Sequence, residues 1–301
     1  MKLALFRKDG GPPAIGCVLQ DRVVDLTELV PLLARRLGMP APSEASSVCA
    51  WIEAGWLAPH VALAIERLAG ELRLGMACPA LAEVDFQPPV DRPRQVLAVG
   101  RNFASHAREG GHEAPEEPII FAKAVSSLIG HGHEVRCPES VGRVDHEAEV
   151  AIVLGRGGRD IPVERAREFI AGYTCFNDLT ARDLQRQDAG RGHPWLRSKG
   201  MDTFGPIGPW LVTADEMPWP LAGRIECRVN GDLRQQGDAR DMLFPPDRII
   251  AFISRYITLS PGDVIALGTP EGVGPLAPGD VVEVFVEGVG LLRNPVARAE
   301  G

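Results

Sequence analysis

The 301-residue sequence predicts an α+β protein in two parts, a small N-terminal domain over residues 1–90 and a β-rich domain over 91–301. Three observations carry this. The Pro261-Gly-Asp263 and Pro278-Gly-Asp280 turns each feed a Val/Ile-rich run that reads as a strand. The spacing of turns lacks the regular helices of a doubly wound sheet. Pro88, Pro89 and Pro93 then interrupt the chain just before an apolar run opens at Val96, which places the division near residue 90.

Composition narrows the function. A hydrophobic fraction of 45% and a charged fraction of 24% suit a globular protein with a substantial core. The formal net charge of −8, with no Lys/Arg run, argues against a nucleic-acid partner. The six cysteines are scattered without a CxxC, as in reduced thiols rather than a zinc site or disulfide framework. No apolar stretch reaches membrane-spanning length, and the N-terminus reads as a strand interrupted by charge rather than a signal peptide. The expectation is a cytoplasmic protein.

Taken in order, Leu3 to Phe6, Ala14 to Leu19 and Arg22 to Leu26 read as short strands separated by Asp9-Gly10-Gly11 and Gln20-Asp21. Ser43 is placed as the N-cap of a helix ending at Gly55, and Val61 to Leu74 reads as a second helix. Val96 to Gly100 opens the second domain as a buried strand. Arg101 to Gly111 is a loop or short helix, and Pro118 to Lys123 a strand. Pro162 and Gly172 bracket a helix over Val163 to Ala171. Tyr173 to Asp178 is a strand, and valines 282, 284 and 286 alternate with Glu283 and Glu287 in another. The glycine-rich stretch Gly268 to Gly274 does not open a helix in the dinucleotide pattern, which argues against a Rossmann site.

The informative stretch is Val144 to Arg156. Val150 to Leu154 is an apolar run of the kind buried on both faces of a sheet. Just ahead of it Glu147 and Glu149 sit two apart, on one side of the pleat. Like charges beside a buried run repel and lose hydration, and a cation between them relieves both costs. A solvated strand end accounts for the pair equally well. Asp178 ends a strand where a helix begins, so it is either a cap or a third ligand, with Arg182 and Gln185 on the same helical face.

These residues also carry a resemblance. Glu147-x-Glu149, Asn177-Asp178-Leu-Thr-Ala-Arg182-Asp-Leu-Gln185, Lys199-Gly-Met-Asp-Thr-Phe-Gly-Pro-Ile-Gly-Pro209, Val229-Asn-Gly231 with Gln235, and Gly262 to Gly272 with Thr269 occur in order. Together they resemble the fumarylacetoacetate hydrolase superfamily over about two-thirds of the chain, roughly residues 95 to 296. The resemblance implies that family's β-rich fold, a mixed β-sandwich roll, preceded by a small α+β domain of the acylpyruvate hydrolase or hydroxyheptadienedioate isomerase branch. It implies a metal held by Glu147, Glu149 and Asp178. Three hard carboxylates favour Mg²⁺, with Mn²⁺ or Ca²⁺ possible, over Zn²⁺.

By the same resemblance Arg182, Gln185, Lys123 and Thr269 contact substrate, and Lys199 neutralises developing charge. Asn102 to Gly110 matches a lid segment in which Glu109 orients His106 as a base for water, with Phe103 where many members carry Tyr. The implied reaction is hydrolysis of a C–C bond in a 2,4-dioxo acid of the acylpyruvate or fumarylpyruvate type. Decarboxylation of an oxaloacetate-like acid and isomerisation of a 2-hydroxymuconate-type acid are the alternatives on the same metal. A homodimer is expected, as in relatives.

Overall fold

Lys2–Arg7, Ala14–Leu19 and Arg22–Asp25 form an antiparallel meander, with Asp9 and Gln20 at positive φ in its turns. The computed structural model describes residues 1–75 and 77–299. Its meander does not close on itself. Lys2–Arg7 pairs antiparallel with Gly205–Thr213, two hundred residues on, and so extends a long mixed sheet. From that junction the sheet runs through Ile170–Asn177, Ala148–Leu154, Val264–Ala266 and Val96–Gly100 to Ile119–Lys123. Along this path only Val264–Ala266 and Val96–Gly100 pair in parallel.

A second sheet, ordered Asp232–Asp238, Arg224–Val229, Val281–Val286, Gly290–Arg298 and Val135–Cys137, lies over one face. Val282, Val284 and Val286 are buried in alternation, as their spacing predicts. They pack with Ile225 against Val150, Ile152 and Leu154, which closes a β-sandwich core. The other face of the long sheet is covered by Val30–Leu37, Val48–Glu53 and Pro59–Leu72. There Trp51, Trp56 and Ile65 share one apolar cluster with Ala151, Val153 and Val264. Sheet and core therefore both run across the prolines near residue 90. Residues 300 and 301 of the expected second domain lie outside the described residues. Among the described residues no helix is long and apolar enough to cross a membrane.

Several elements differ from expectation for identifiable reasons. Ser47, not Ser43, caps the second helix, accepting from Ala50 N–H at 3.1 Å. The helix expected from Val61 starts at Pro59 and ends at Leu72, followed by a tight turn over Arg73–Gly75. Val163–Phe169 is 3₁₀ rather than α, and strand already begins at Ile170. Gly172 is consequently no helix stop but a strand residue. A Cβ there would lie 2.3 Å from the Val212 carbonyl oxygen.

Candidate active site

The central strand Ala148–Leu154 is buried along its whole length between Ile170–Asn177 and Val264–Ala266. Glu147 marks a break. Val144–His146 belongs to a small sheet with Thr180–Ala181 and Gly274–Leu276, whereas Ala148 onward belongs to the long one. Glu147 thus sits where the chain passes from one sheet to the other, and Glu149 lies just inside. Across the ladder Asp178 donates its N–H to Glu147 O at 2.9 Å, and Asn177 Oδ1 accepts from Glu147 N–H at 3.0 Å. Carboxylate oxygens of Glu147, Glu149 and Asp178 lie within 4.8 Å of one another, all buried.

Asp178 is not a helix cap. Thr180–Ala181 intervenes as a strand paired with Val144 and Asp145, and the helix runs Arg182–Gly190 with Ala181 at its cap position. Arg182 still faces the triad. Its Nη2 donates to Glu147 Oε1 at 2.6 Å, its Nε to Asp145 Oδ2 at 2.8 Å and its Nη1 to Gln185 Oε1 at 2.6 Å.

The buried charges are unevenly paired. Lys199 Nζ donates to Glu147 Oε2 (2.9 Å), Asp178 Oδ2 (2.5 Å) and Thr180 Oγ1 (2.8 Å). Burial opposes the charge on Glu147, yet Lys199, Arg182 and the nearby His106 more than offset it and hold this carboxyl well below the usual range. Burial and the neighbouring Asp178 and Glu147 charges push Glu149 well above it. Glu149 Oε2 accepts from Gly268 N–H at 2.7 Å, and no cationic side chain pairs with it among the described residues. Lys199 is held above its ordinary value by Asp178 and Glu147 despite burial.

Lys123 is placed differently from its expected contact with substrate. It is fully buried, donates to Asp178 Oδ1 at 2.7 Å and to the carbonyls of Leu179 and Lys199, and is absent from the cavity wall. Its position suits support of Asp178 from behind.

The triad opens into a cavity of about 370 Å³ lined also by His106, Glu109, Arg182, Gln185, Lys199 and Thr269. The segment expected to act as a lid carries a short helix, Ala104–Glu109. His106 Nδ1 lies 3.2 Å from Glu109 Oε2, and Glu109 Oε1 accepts from Gly272 N–H at 3.0 Å. Phe103 is buried in the core beneath. An imidazole that donates from Nδ1 to the carboxylate keeps its lone pair on Nε2. The segment is rooted by Asn102, whose Nδ2 donates to Leu267 O at 2.7 Å and Phe244 O at 3.0 Å.

Sequence reasoning placed Gln235 in the motif but gave it no role. It is the one fully buried residue of the strand Asp232–Asp238. Its Oε1 accepts from Ala148 N–H (3.0 Å) and faces His146 Nδ1 (2.9 Å), while Nε2 donates to Thr269 Oγ1 and Pro270 O, both at 2.8 Å. Because Thr269 Oγ1 accepts there, its own hydrogen is left for a ligand. An amide at an inward position of an otherwise polar edge strand is the signal that could have revealed it. Asp145, which anchors Arg182 and Arg143, was missed likewise.

The donor set fits a hard divalent ion. It offers three carboxylates and no nitrogen or sulfur, and one of the three, Glu149, has no ion-pair partner among the described residues.

A sequence profile for the "Fumarylacetoacetate (FAA) hydrolase C-terminal" family matches residues 95–297. Oxaloacetate tautomerase fahd2, mitochondrial, of Xenopus laevis is 35% identical over 306 residues, covering 98% of this chain and 90% of its own. Among solved structures, maleylpyruvate hydrolase from Sphingobium sp. SYK-6, in complex with manganese (II) ion and pyruvate, aligns over 100% of both chains at 30% identity and TM-score 0.78. A 5-carboxymethyl-2-hydroxymuconate delta-isomerase from Mycobacterium smegmatis does so at 34% identity and TM-score 0.75.

Proposed function

This chain belongs to the fumarylacetoacetate hydrolase family, and from that premise we propose that it is a divalent-metal-dependent hydrolase cleaving a C–C bond in a 2,4-dioxo acid. The observation that carries the reading is the His106–Glu109 pair, 3.2 Å apart, on the same cavity as the three carboxylates. A divalent ion held by Glu147, Glu149 and Asp178, Mg²⁺ or Mn²⁺ by the chemistry of the donors, would supply Lewis acidity toward the carboxylate and keto oxygen of such an acid.

The protein's own groups do the rest. Arg182, Gln185 and the free Thr269 hydroxyl hydrogen orient the acid head, and Lys199 offsets charge that builds on it. His106 Nε2 takes a proton from water, whose oxygen bonds to the C4 carbonyl carbon. The C3–C4 bond then breaks with its electron pair passing to C3, and the proton returns there from His106. The products are a carboxylic acid and a shorter 2-oxo acid. The family's Mn²⁺ and pyruvate complex of a maleylpyruvate hydrolase supports this reading.

A second reading is favoured by the tautomerase relative, which aligns over nearly the whole chain. In it the same head site and the same His106 move a proton between C3 and the C2 oxygen of an oxaloacetate-like acid, without hydrolytic water. Decarboxylation or isomerisation on this head site belongs to the same group of alternatives. A panel of acylpyruvates, enol-oxaloacetate and 2-hydroxymuconates with Mg²⁺ or Mn²⁺ separates them. Hydrolysis predicts acylpyruvate cleavage. Enol–keto exchange of oxaloacetate with intact acylpyruvate overturns it in favour of the second reading. A homodimer and a cytoplasmic location complete the proposal.

A further inference from the structure

The proposed acid head does not engage every side chain that lines the cavity. Arg101, Phe121 and Trp195 also line it, the Phe121 ring centroid 5.0 Å from Lys199 Nζ. Five Lys and Arg side chains line the cavity, namely Arg101, Arg143, Arg182, Arg186 and Lys199. Arg143 pairs with Asp145, Arg182 with Asp145 and Glu147, Arg186 with Asp183, and Lys199 with Glu147 and Asp178. Arg101 alone has no carboxylate within ion-pair distance among the described residues.

Its placement is built rather than incidental. Arg101 has a φ of 56°, a left-handed conformation costly for a residue with a side chain. The strand Val96–Gly100 holds it on one side. On the other, Asn102 makes three hydrogen bonds, donating to Phe244 O and Leu267 O and accepting from Phe244 N–H. A Cβ on the preceding Gly100 would lie 2.9 Å from the Trp195 ring, so that glycine lets the indole approach. The guanidinium carbon stands 5.9 Å from the centroid of a Trp195 ring, and Trp195 meets Phe121 edge-on at 5.3 Å. A half-buried cation on an aromatic shelf, without an anion of its own, gains most from a carboxylate brought by the ligand. Burial also pulls Arg101 below the ordinary arginine value, as it does for a cation lacking a counter-ion.

We infer that Arg101, backed by Trp195, is a specificity-determining residue that receives a tail carboxylate, so that the cavity prefers 2-oxo dicarboxylic acids to 2-oxo monocarboxylic acids of equal length. The inference rests on the proposed 2-oxo acid head site.

The test is equilibrium binding by calorimetry to the full chain equilibrated with Mn²⁺. The probes are 2-oxoglutarate and 2-oxopentanoate, which share a five-carbon 2-oxo acid and differ only in a terminal carboxylate or methyl. Pyruvate, which has no tail, is the control. The wild-type protein is expected to bind 2-oxoglutarate about tenfold or more tightly than 2-oxopentanoate, the scale of one charge-assisted contact. Arg101→Met should erase that preference by weakening 2-oxoglutarate alone, with pyruvate binding retained, and Arg101→Lys should keep part of it. An unchanged preference in Arg101→Met, or equal weakening of all three acids, overturns the inference while leaving the head site standing. If none of the three acids binds the wild-type protein, the head-site reading falls and the inference falls with it.

Discussion

Glu147 and Glu149 lie two residues apart, and their carboxyls are driven in opposite directions. Glu147 is held ionised by Lys199 and Arg182 despite burial, while burial and the Asp178 and Glu147 charges push Glu149 well above the usual carboxylate range. An ion favours the charged form of Glu149, so binding it must expel whatever proton Glu149 carries. Mn²⁺ titrations near pH 6.5 in buffers of different ionisation enthalpy should report proton release of up to about one per ion. Apparent affinity should rise with pH while Glu149 remains partly protonated. Glu149→Gln should abolish the release and weaken binding at least tenfold, about 1.4 kcal/mol. Heats independent of buffer in the wild-type protein would contradict this account.

Lys123 and Asp178 make a second test. Lys123 is buried against Asp178 at 2.7 Å, and its removal leaves a buried carboxylate with one fewer partner. Lys123→Met should cost roughly 3 kcal/mol of stability by urea unfolding, as does breaking a buried pair. KM should change far less than stability. A large KM increase with unaltered stability would instead return Lys123 to the substrate.

His106→Ala should lower kcat for acylpyruvate cleavage by about a hundredfold or more, the usual scale of a positioned base. Ion binding should be nearly unaffected, because His106 is not among the clustered ligands. Glu109→Ala should give a smaller loss of the same kind. Steady-state kinetics alongside Mn²⁺ calorimetry checks both, and equal loss of rate and ion affinity would argue for collapse of the site.

Gln235 satisfies four neighbours at once. Gln235→Leu should destabilise by roughly 3 kcal/mol, since several buried polar groups lose their partner. In Gln235→Glu the groups that donated to Thr269 and Pro270 become acceptors, so the Thr269 hydrogen turns away from the cavity. A rise in KM for the 2-oxo acid beyond the change in kcat is the expected signature.

Thiol chemistry should be confined. Burial pushes Cys17, Cys49 and Cys175 up to about 12 and Cys137 to about 11, and Cys227 higher still. At pH 8 their thiolate fractions are on the order of 10⁻³ or less. Cys78 is the one cysteine that is not buried. Ellman's reagent should titrate one thiol rapidly in the native protein and six after denaturation.

Much of this was legible where the chemistry is local. Two acids beside an apolar run are a conflict visible in the sequence, and they converge as that conflict suggested. His106 and Glu109, three apart, meet on one turn for the same reason. What the sequence hid depends on distant pairing. Asp178 looked like a cap because nothing local shows that Thr180–Ala181 pairs as a strand with Val144 and Asp145. Lys123 finds Asp178 across 55 residues, and Gln235 finds Thr269 across 34. Gly172 resembled a helix stop, although its role is close approach to Val212.

One peptide unit ties two parts of the site together. The Leu267 carbonyl accepts from Asn102, while the Gly268 N–H of the same amide bonds Glu149. An amide is planar and stiff, so it cannot swivel to please one partner without deserting the other. Side chains cannot intrude either, since a Cβ at Gly268 would lie 2.7 Å from Asn102 Cβ. Asn102 and the carboxyl that most needs an ion are therefore seated on a single joint, and neither can be re-seated without disturbing the other.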